Sequence, residues 1–110
     1  MDSEIWTKTE KHIAREAFDK AYRREYESIR KEVIRMVNEK TDLNEIWSVG
    51  NFLSKQRKML DWKYDYRYSK LIGVFGILLS QGWVTMEDLK ELSSEKLESI
   101  QLIARNFSDE

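Results

Sequence analysis

The residues best suited to bind another molecule are concentrated between positions 47 and 83. This stretch holds three of the four tryptophans, three of the five tyrosines and all four glycines. At its centre, aromatic and charged residues fill seven positions with the sequence WKYDYRY, residues 62–68. A buried tyrosine hydroxyl or tryptophan indole needs a polar partner, so an ordinary helical core has no use for such density. The pattern favours contact with another surface.

Side chains with the chemistry of catalysis are scarce. His12 is the only histidine, and its neighbour Lys11 favours a position on a helix surface. A metal site usually needs two or more histidines or cysteines at set spacing, and the chain has no cysteine. A glycine-rich phosphate loop is not expected, because Gly73, Gly76 and Gly82 fall within or at the end of a predicted helix. We therefore predict no catalytic residue, metal, cofactor or small-molecule substrate.

Charge and hydropathy limit the classes of partner. The net charge is −1, although residues 55–70 carry six basic side chains against two acidic ones, and residues 86–110 carry seven acidic against three basic ones. These two regions either face each other or face partners. A near-neutral chain is a poor match for nucleic acid, which requires a basic excess, although aromatic side chains do stack on nucleobases.

The hydropathy pattern also argues against a membrane protein. The longest apolar run, residues 71–79, is too short to span a bilayer. The N-terminal residues lack the apolar core of a signal peptide. We expect a soluble, cytoplasmic protein.

A long amphipathic helix is predicted at the N-terminus. Thr7 and Glu10 form a capping-box pattern that begins a helix near Lys8. The chain has no proline and its first glycine is Gly50, so no helix breaker interrupts the residues that follow. Apolar residues recur at helical spacing to about residue 39, at positions 13, 17, 18, 21, 22, 26, 29, 33, 36 and 37.

The length of this helix predicts a dimer. About 30 residues at 1.5 Å each form a rod of roughly 45 Å, whereas a compact domain of this size is only about 30–35 Å across. Within a single domain of residues 1–110, the long helix (1–40) must therefore project from a helical hairpin and head (42–110). Its apolar stripe needs a cover outside the monomer, and a homodimer is the simplest one.

Three of the later helices begin at recognisable caps. The capping residues are, in order, Asp42 with Glu45, Thr85 with Asp88, and Ser93 with Ser94. The helices are expected to cover about 42–59, 85–92 and 94–107, since apolar residues recur at helical spacing within them.

The segment between Asp61 and Gly82 has two interpretations. The aromatic residues of 62–68 alternate with polar ones, which is the two-residue period of a strand. No other segment alternates, however, and a lone strand leaves its backbone groups unpaired. We therefore predict a third helix from residue 62 to about 80, capped by Asp61 and ended by Gly82. Gly73 and Gly76 would then permit the close approach of another helix.

Several motifs occur along the chain in a characteristic order. They are Trp47, Phe52-Leu53-Ser54, Arg57, Lys63-Tyr64-Asp65, Arg67, Ser69, the apolar run 71–79 and Gly82-Trp83-Val84, accompanied by Trp6, Ala17-Phe18, Ala21-Tyr22, Asp88-Leu89 and Lys96. No single motif is diagnostic. In this order and spacing, the chain resembles the fluorescence recovery protein family of cyanobacteria over almost its whole length.

The resemblance implies an all-α homodimer that is not an enzyme. Members of the family bind the photoactivated orange carotenoid protein, speed its return to the resting state and help to release it from the phycobilisome. For this chain, the resemblance implies a dimer interface with Trp47, Asn51, Phe52 and Arg57. It implies a partner-binding surface with Tyr64, Arg67, Gly73 and Ser99.

Some positions depart from the family pattern. Where the family has His-Asp, residues 50–51 are Gly-Asn, so an Asp–Arg ion pair becomes at best an amide contact with Arg57. Gly73 stands in place of a phenylalanine and Ser99 in place of a lysine, both implicated in contact with the carotenoid protein. Trp62 replaces a small glycine. The scaffold residues are kept, whereas several partner-facing ones are changed.

Two alternative functions remain open. A divergent member from an organism without the carotenoid protein would bind an unidentified protein. A structural or stress-related helical dimer would instead use the aromatic residues as core, and burial of Tyr64, Tyr66 and Tyr68 would favour this reading.

Overall fold

The structure, a computed structural model, describes residues 5–39 and 42–108. Its helices are α1 (Lys8–Glu39), α2 (Leu43–Lys63), α3 (Leu71–Gln81), α4 (Met86–Leu89) and α5 (Ser94–Ser108). Within the described residues there is no β-strand. The prediction of an all-α fold is confirmed.

Most of the predicted caps lie at the ends of helices. At the start of α1, the Thr7 N–H donates to Oε1 of Glu10 and the Glu10 N–H donates to Oγ1 of Thr7, both at 3.1 Å. The other caps are the boxes of Asp42 with Glu45 and of Thr85 with Asp88, the Ser93 hydroxyl on the Lys96 N–H, and Gly82 in the left-handed conformation (φ 83°) after α3. Each cap satisfies backbone groups that a helix end leaves without partners.

The C-terminal half of α1, which we call the distal half, pairs with α2 as an antiparallel hairpin. This hairpin projects from the remaining helices, which pack on the N-terminal, or proximal, half of α1. The 32 residues of α1 span about 48 Å at 1.5 Å per residue. The molecule measures 55 × 29 × 21 Å, and its radius of gyration is 16.6 Å. A compact chain of this length would have a radius of gyration near 13 Å. The prediction of a projecting helix is therefore confirmed.

The core lies in the head, which comprises α3, α4, α5 and the proximal half of α1. From α3, Leu71, Phe75 and Leu78 are fully buried, and Ile100 of α5 packs with them. The proximal half of α1 contributes small buried side chains, at Ala14, Ala17 and Ala21, which let α1 lie close to α3. The core thus draws on both ends of the sequence.

One of the two predicted close approaches occurs. A Cβ added at Gly76 would lie 2.6 Å from Cβ of Ile103 and 3.3 Å from the carbonyl oxygen of Ile100, so α5 packs directly on this glycine. At Gly73, by contrast, an added Cβ would meet nothing within 4 Å. The expectation of a close helix approach at Gly73 was wrong.

The first part of the predicted third helix is also wrong. The second helix continues to Lys63 rather than ending near residue 59, so Asp61 lies inside α2 and caps nothing. Residues 64–70 form an extended segment and a turn, and α3 begins only at Leu71. In an extended backbone, residues two apart point to the same side, so Tyr64, Tyr66 and Tyr68 all turn towards α1.

Packing on α1 explains why the extended form is stable without a neighbouring strand. The ring of Phe18 meets Tyr64 at 5.3 Å and Tyr66 at 4.8 Å, measured between ring centroids in edge-on geometry. Tyr68 lies 5.8 Å from Trp6. Such aromatic pairs add to the stabilisation from burial. A helix over the same residues would turn successive tyrosines by about 200° and lose these contacts.

The short fourth helix is shorter than predicted. It ends at Leu89 rather than near residue 92. A turn follows, in which the Leu92 N–H donates to the carbonyl oxygen of Leu89 at 2.9 Å. Both leucines are buried in the core, and the turn is the geometry that places both of them there.

Candidate functional site

The outer face of α2 presents large apolar side chains. Leu43 is 74% exposed, Trp47 68% and Trp62 66%. At 100° per residue these side chains lie within about 100° of one another around the helix. The distal half of α1 adds exposed Tyr26, Ile34 and Val37. Clustered exposed apolar residues mark interaction surfaces.

The four residues predicted for the dimer interface do not share one face. Trp47 and Asn51 are one helical turn apart and both exposed. Arg57 is also exposed, but it lies about 80° around the helix from Trp47 and pairs at 4.0 Å with Asp61.

Phe52 points inward rather than outward. It is half-buried and lines a groove of about 500 Å³ between α1 and α2, together with Ile29 and Gln56. Trp83, at the base of the hairpin, closes one end of the groove. The position of Phe52 suits it to hold the hairpin together.

A second surface is a cleft of about 350 Å³ between the end of α2 and the start of α3. Trp62, Arg67, Lys70, Gly73, Val74 and Ile77 are among its lining residues. The absent side chain of Gly73 leaves the cleft open. Its lining is partly apolar, with an exposed indole on one side and cations at the rim. This is the composition of a site for a protein side chain. We call it the Gly73 cleft.

The four residues predicted to bind a partner are only partly brought together. Arg67 and Gly73 line the Gly73 cleft. Tyr64 is half-buried against α1, and its hydroxyl donates to Oε1 of Glu25 at 2.8 Å. Ser99 lies half-buried on α5, outside the lining of the cleft.

A buried polar network supports the floor of this cleft. Lys63 at the end of α2 donates through Nζ to Oε2 of Glu25 at 2.8 Å and to Oε1 of Gln81 at 2.7 Å. The side chain of Lys63 is only 2% exposed. Burial, reinforced by the hydrogen bond to the Glu25 carboxylate, raises the pKa of Tyr64. The tyrosine therefore stays neutral and donates its proton. The network ties α1, α2 and α3 together.

Asp65 fixes the orientation of the Arg67 side chain. Its guanidinium donates twice to the Asp65 carboxylate, at 2.9 Å from Nε and 2.6 Å from Nη2. The hydrogen bonds from Arg67 lower the pKa of Asp65. Because the extended backbone places Asp65 and Arg67 on the side away from the tyrosines, this pair faces the cleft.

Two residues of the Gly73 cleft were missed by sequence reasoning. Trp62 was named only within the aromatic stretch and as a departure from the family pattern, and Lys70 was given no role, although both lie in the stretch 47–83 that favoured contact with another surface. The exposure of Trp62 follows from its place near the end of α2. The two-residue period of residues 62–68 was the signal that could have identified the break.

Comparison with known proteins agrees with this architecture. Residues 6–104 match the family described as photoprotection regulator fluorescence recovery protein. The chain belongs to the fluorescence recovery protein family. It is 36% identical over 100 residues to the fluorescence recovery protein of Synechocystis sp. PCC 6803, covering 91% of this chain and 92% of that protein.

Solved structures of the family show the same fold. The fluorescence recovery protein of Fremyella diplosiphon is 40% identical and superposes with a TM-score of 0.87. The Synechocystis protein is 36% identical, also with a TM-score of 0.87. Each comparison covers 92% of this chain and 99% of the other. The likeness therefore includes both the hairpin and the head.

Within the described part of the chain, no three or more His, Cys, Asp or Glu side chains come together as a metal site. None of the helices described has the combination of length and apolarity that crossing a bilayer requires.

Proposed function

We propose that this member of the fluorescence recovery protein family is a cytoplasmic, non-enzymatic regulator that binds the photoactivated orange carotenoid protein. Binding accelerates the return of that protein to its resting state. The observation that carries the proposal is the likeness to a photoprotection-regulator family over residues 6–104, with helical architecture matched at a TM-score of 0.87. The regulator acts through surface contact and needs no cofactor, metal or nucleic acid.

The active species in this proposal is a homodimer. The exposed apolar residues of the hairpin, among them Trp47, Ile34 and Val37, support it, because a monomer leaves them in water. Asn51 lies beside Trp47 on the same face, and Arg57 flanks it. Phe52 contributes indirectly by holding α2 on α1.

The carotenoid-protein surface in this proposal is the Gly73 cleft. Lys70 supplies positive charge at its rim, where Arg67 is paired with Asp65, and Trp62 supplies an exposed aromatic anchor. Tyr64 contributes indirectly: its hydroxyl donates a hydrogen bond to Glu25, and Glu25 also accepts one from Lys63 beneath the cleft. Ser99 belongs to a separate contact on α5.

Dark-recovery kinetics test the function directly. Purified protein is added to photoactivated orange carotenoid protein, and the return of the resting absorption spectrum is followed in the dark. We expect the recovery rate to rise with the amount of protein added. Unchanged kinetics at an excess of folded protein would overturn the proposed function.

A variant at the rim of the cleft tests the surface. Arg67→Ala removes a side chain that is 70% exposed, so the head keeps its fold while the cleft loses its guanidinium. We expect the acceleration of recovery to fall by about tenfold or more, as the loss of one contact worth about 1.4 kcal/mol would give. Arg105→Ala, which removes an exposed arginine on another face of α5 from Ser99, is the matched control and should accelerate recovery like the wild type.

A structural or stress-related role is the second candidate. It is favoured by one observation: Tyr64 and Tyr66 are half-buried against α1, so they serve the fold. This role does not explain why Trp47 and Trp62 remain exposed. A folded protein that fails to accelerate recovery yet suppresses aggregation of a heated client would favour it. Binding of a different protein, in an organism without the carotenoid protein, would instead favour a divergent member with another partner.

A further inference from the structure

A basic surface with two tyrosines lies on the proximal half of α1, away from the Gly73 cleft. A concavity of about 710 Å³ is lined there by Lys8, Thr9, Lys11, His12, Arg15, Tyr66 and Tyr68. No acidic side chain is among these lining residues. Positions 8, 11 and 15 recur at helical spacing, so their cations form one stripe along α1. We call this the Lys8–Arg15 surface.

The tyrosines are held beside the cations. The guanidinium carbon of Arg15 lies 3.8 Å from the ring centroid of Tyr66, and Nζ of Lys11 lies 5.2 Å from that of Tyr68. These are cation–π distances. Burial and the neighbouring Tyr68 raise the pKa of Tyr66 to about 12, so its hydroxyl is neutral at physiological pH. The surface therefore alternates positive charge with aromatic area.

Among the described residues, only part of this charge is neutralised. Arg15 lies 3.2 Å from Asp19. Within residues 5–39 and 42–108, neither Lys8 nor Lys11 has an ion-pair partner. Both lysines are exposed to solvent.

The requirements of folding explain the positions of these lysines only in part. Lys8 and Lys11 occupy the first turn of α1, where the helix dipole favours acidic side chains and disfavours cations. Lys11 gains a cation–π contact with Tyr68, whereas among the described residues no ion pair compensates Lys8. Two exposed cations at this end of the helix suit contact with a negatively charged partner.

We propose that the Lys8–Arg15 surface is a docking site for an acidic protein segment in which carboxylates alternate with apolar side chains. The stripe extends about 10 Å along α1, from residue 8 to residue 15. An extended segment places successive carboxylates at spacings that suit this length, and its apolar side chains cover Tyr66 and Tyr68. This inference does not depend on the identity of the carotenoid protein as partner.

A protein segment fits the surface better than the other anions. The concavity is open, so a small free anion would touch only one or two cations. Nucleic acid presents a phosphate at every nucleotide, and its binding draws on a basic excess. The surface offers the cations of only one stripe, and the net charge of the chain is −1.

Peptide binding tests the proposal. The probe is a short fluorescent peptide that alternates glutamate with leucine, and its anisotropy is followed as the full-length protein is added. We expect saturable binding that weakens as salt is raised, because salt screens exposed charges. Lys8→Glu/Lys11→Glu should weaken binding by about tenfold or more. The control Lys55→Glu/Lys58→Glu has the same charge change and spacing on α2 and should bind like the wild type.

The double variant is expected to fold, because glutamate in the first turn of a helix is favoured by the dipole. Its melting temperature should be no lower than that of the wild type, while peptide binding is lost. Equal binding by the wild type and the Lys8/Lys11 variant, or no binding by the wild type, would overturn the proposal. Tighter binding of oligodeoxythymidine, or full displacement of the peptide by inorganic phosphate, would also overturn it.

Discussion

Glu10 and Lys96 form a buried ion pair that joins the first helix to the last. Nζ of Lys96 lies 3.1 Å from Oε1 of Glu10 and donates to the carbonyl oxygen of Ile5 at 2.6 Å. The Ser93 N–H donates to the other oxygen of Glu10 at 2.9 Å. Both side chains of the pair are less than 10% exposed. Each charge therefore depends on the other for its compensation.

Removing one partner of this pair should destabilise the head. Lys96→Met leaves the Glu10 carboxylate buried without its cation, and we expect a loss of about 3 kcal/mol in the free energy of unfolding, measured by urea denaturation. Lys90→Met, which breaks only the exposed pair with Glu87, should cost less than about 1 kcal/mol. Similar losses in the two variants would contradict the assigned role of the buried pair.

The acid stability of the protein should depend on Glu10 and Asp88. Burial alone would raise the pKa of Glu10, but hydrogen bonds from the Thr7 and Ser93 N–H groups and from Lys96 hold it below 4.5. At Asp88, burial likewise acts to raise the pKa, but hydrogen bonds from Arg24 and Thr85 hold the pKa below 3.8. A lowered pKa in the folded state stabilises the protein above the unfolded value, and this stabilisation is lost as pH falls.

We therefore expect the free energy of unfolding to decrease as pH falls below about 4.5. Glu10→Gln should be less stable at neutral pH and should lose less stability on acidification, because one of the responsible carboxylates is gone. Urea denaturation at a series of pH values measures both. An equally steep acid dependence in Glu10→Gln would show that other groups control it.

At the scale of elements, α3 packs on α5 through one glycine and leaves another open. Gly76 lies directly beneath Ile103, whereas Gly73 faces the cleft. Both glycines lie in the same helix, so they carry the same cost in helix propensity. The two glycines differ only in their surroundings. Substituting each in turn therefore compares the effect of an added side chain at a packed position with its effect at an open one.

Alanine substitutions at these two positions should have opposite effects. Gly76→Ala forces a methyl group against Ile103 and should cost about 1–3 kcal/mol. The methyl group that Gly73→Ala adds meets no atom within 4 Å. This variant should be stabilised by up to about 1 kcal/mol, because alanine has a higher helix propensity than glycine. Thermal unfolding of the two variants gives the comparison. A stabilised Gly76→Ala would mean that α5 moves aside easily.

At the scale of the whole molecule, the hairpin projects beyond the core and keeps apolar residues in water. The longest dimension is 55 Å, whereas the other two are only 29 and 21 Å. Trp47 and Leu43 lie near its tip, far from the buried residues of the head. A second copy of the hairpin, laid against the first, would remove these side chains from water in both chains.

A charge placed on the exposed face of α2 should therefore disrupt the proposed homodimer. We expect Trp47→Glu to be a folded monomer, because a carboxylate would have to enter a desolvated contact. Light scattering measures the mass, and circular dichroism confirms that the helices remain. Leu102→Glu makes a similar change on α5 and should stay dimeric. A dimeric Trp47→Glu would place the interface elsewhere.

Local signals in the sequence determined most of the helix boundaries. Thr7 with Glu10, Asp42 with Glu45, and Gly82 each act on backbone groups within a few residues, so their effect is readable without the rest of the fold. The length of α1 and the absence of breakers likewise predicted a helix that projects. The order of motifs identified the family, which the comparisons confirm.

Tertiary contacts decided the parts that the sequence left ambiguous. Residues 64–70 carry both a two-residue and a helical pattern, and the rings of Phe18 and Trp6, far away in the chain, select the extended form. The same choice sends Tyr64 towards Glu25 and opens the cleft at Gly73, so the candidate site follows from the break between α2 and α3. Helical periodicity depends on residues that are close together in the sequence, whereas Phe18 and Trp6 are close to these tyrosines only in the folded protein. The conformation of this stretch could therefore not be predicted from the sequence pattern.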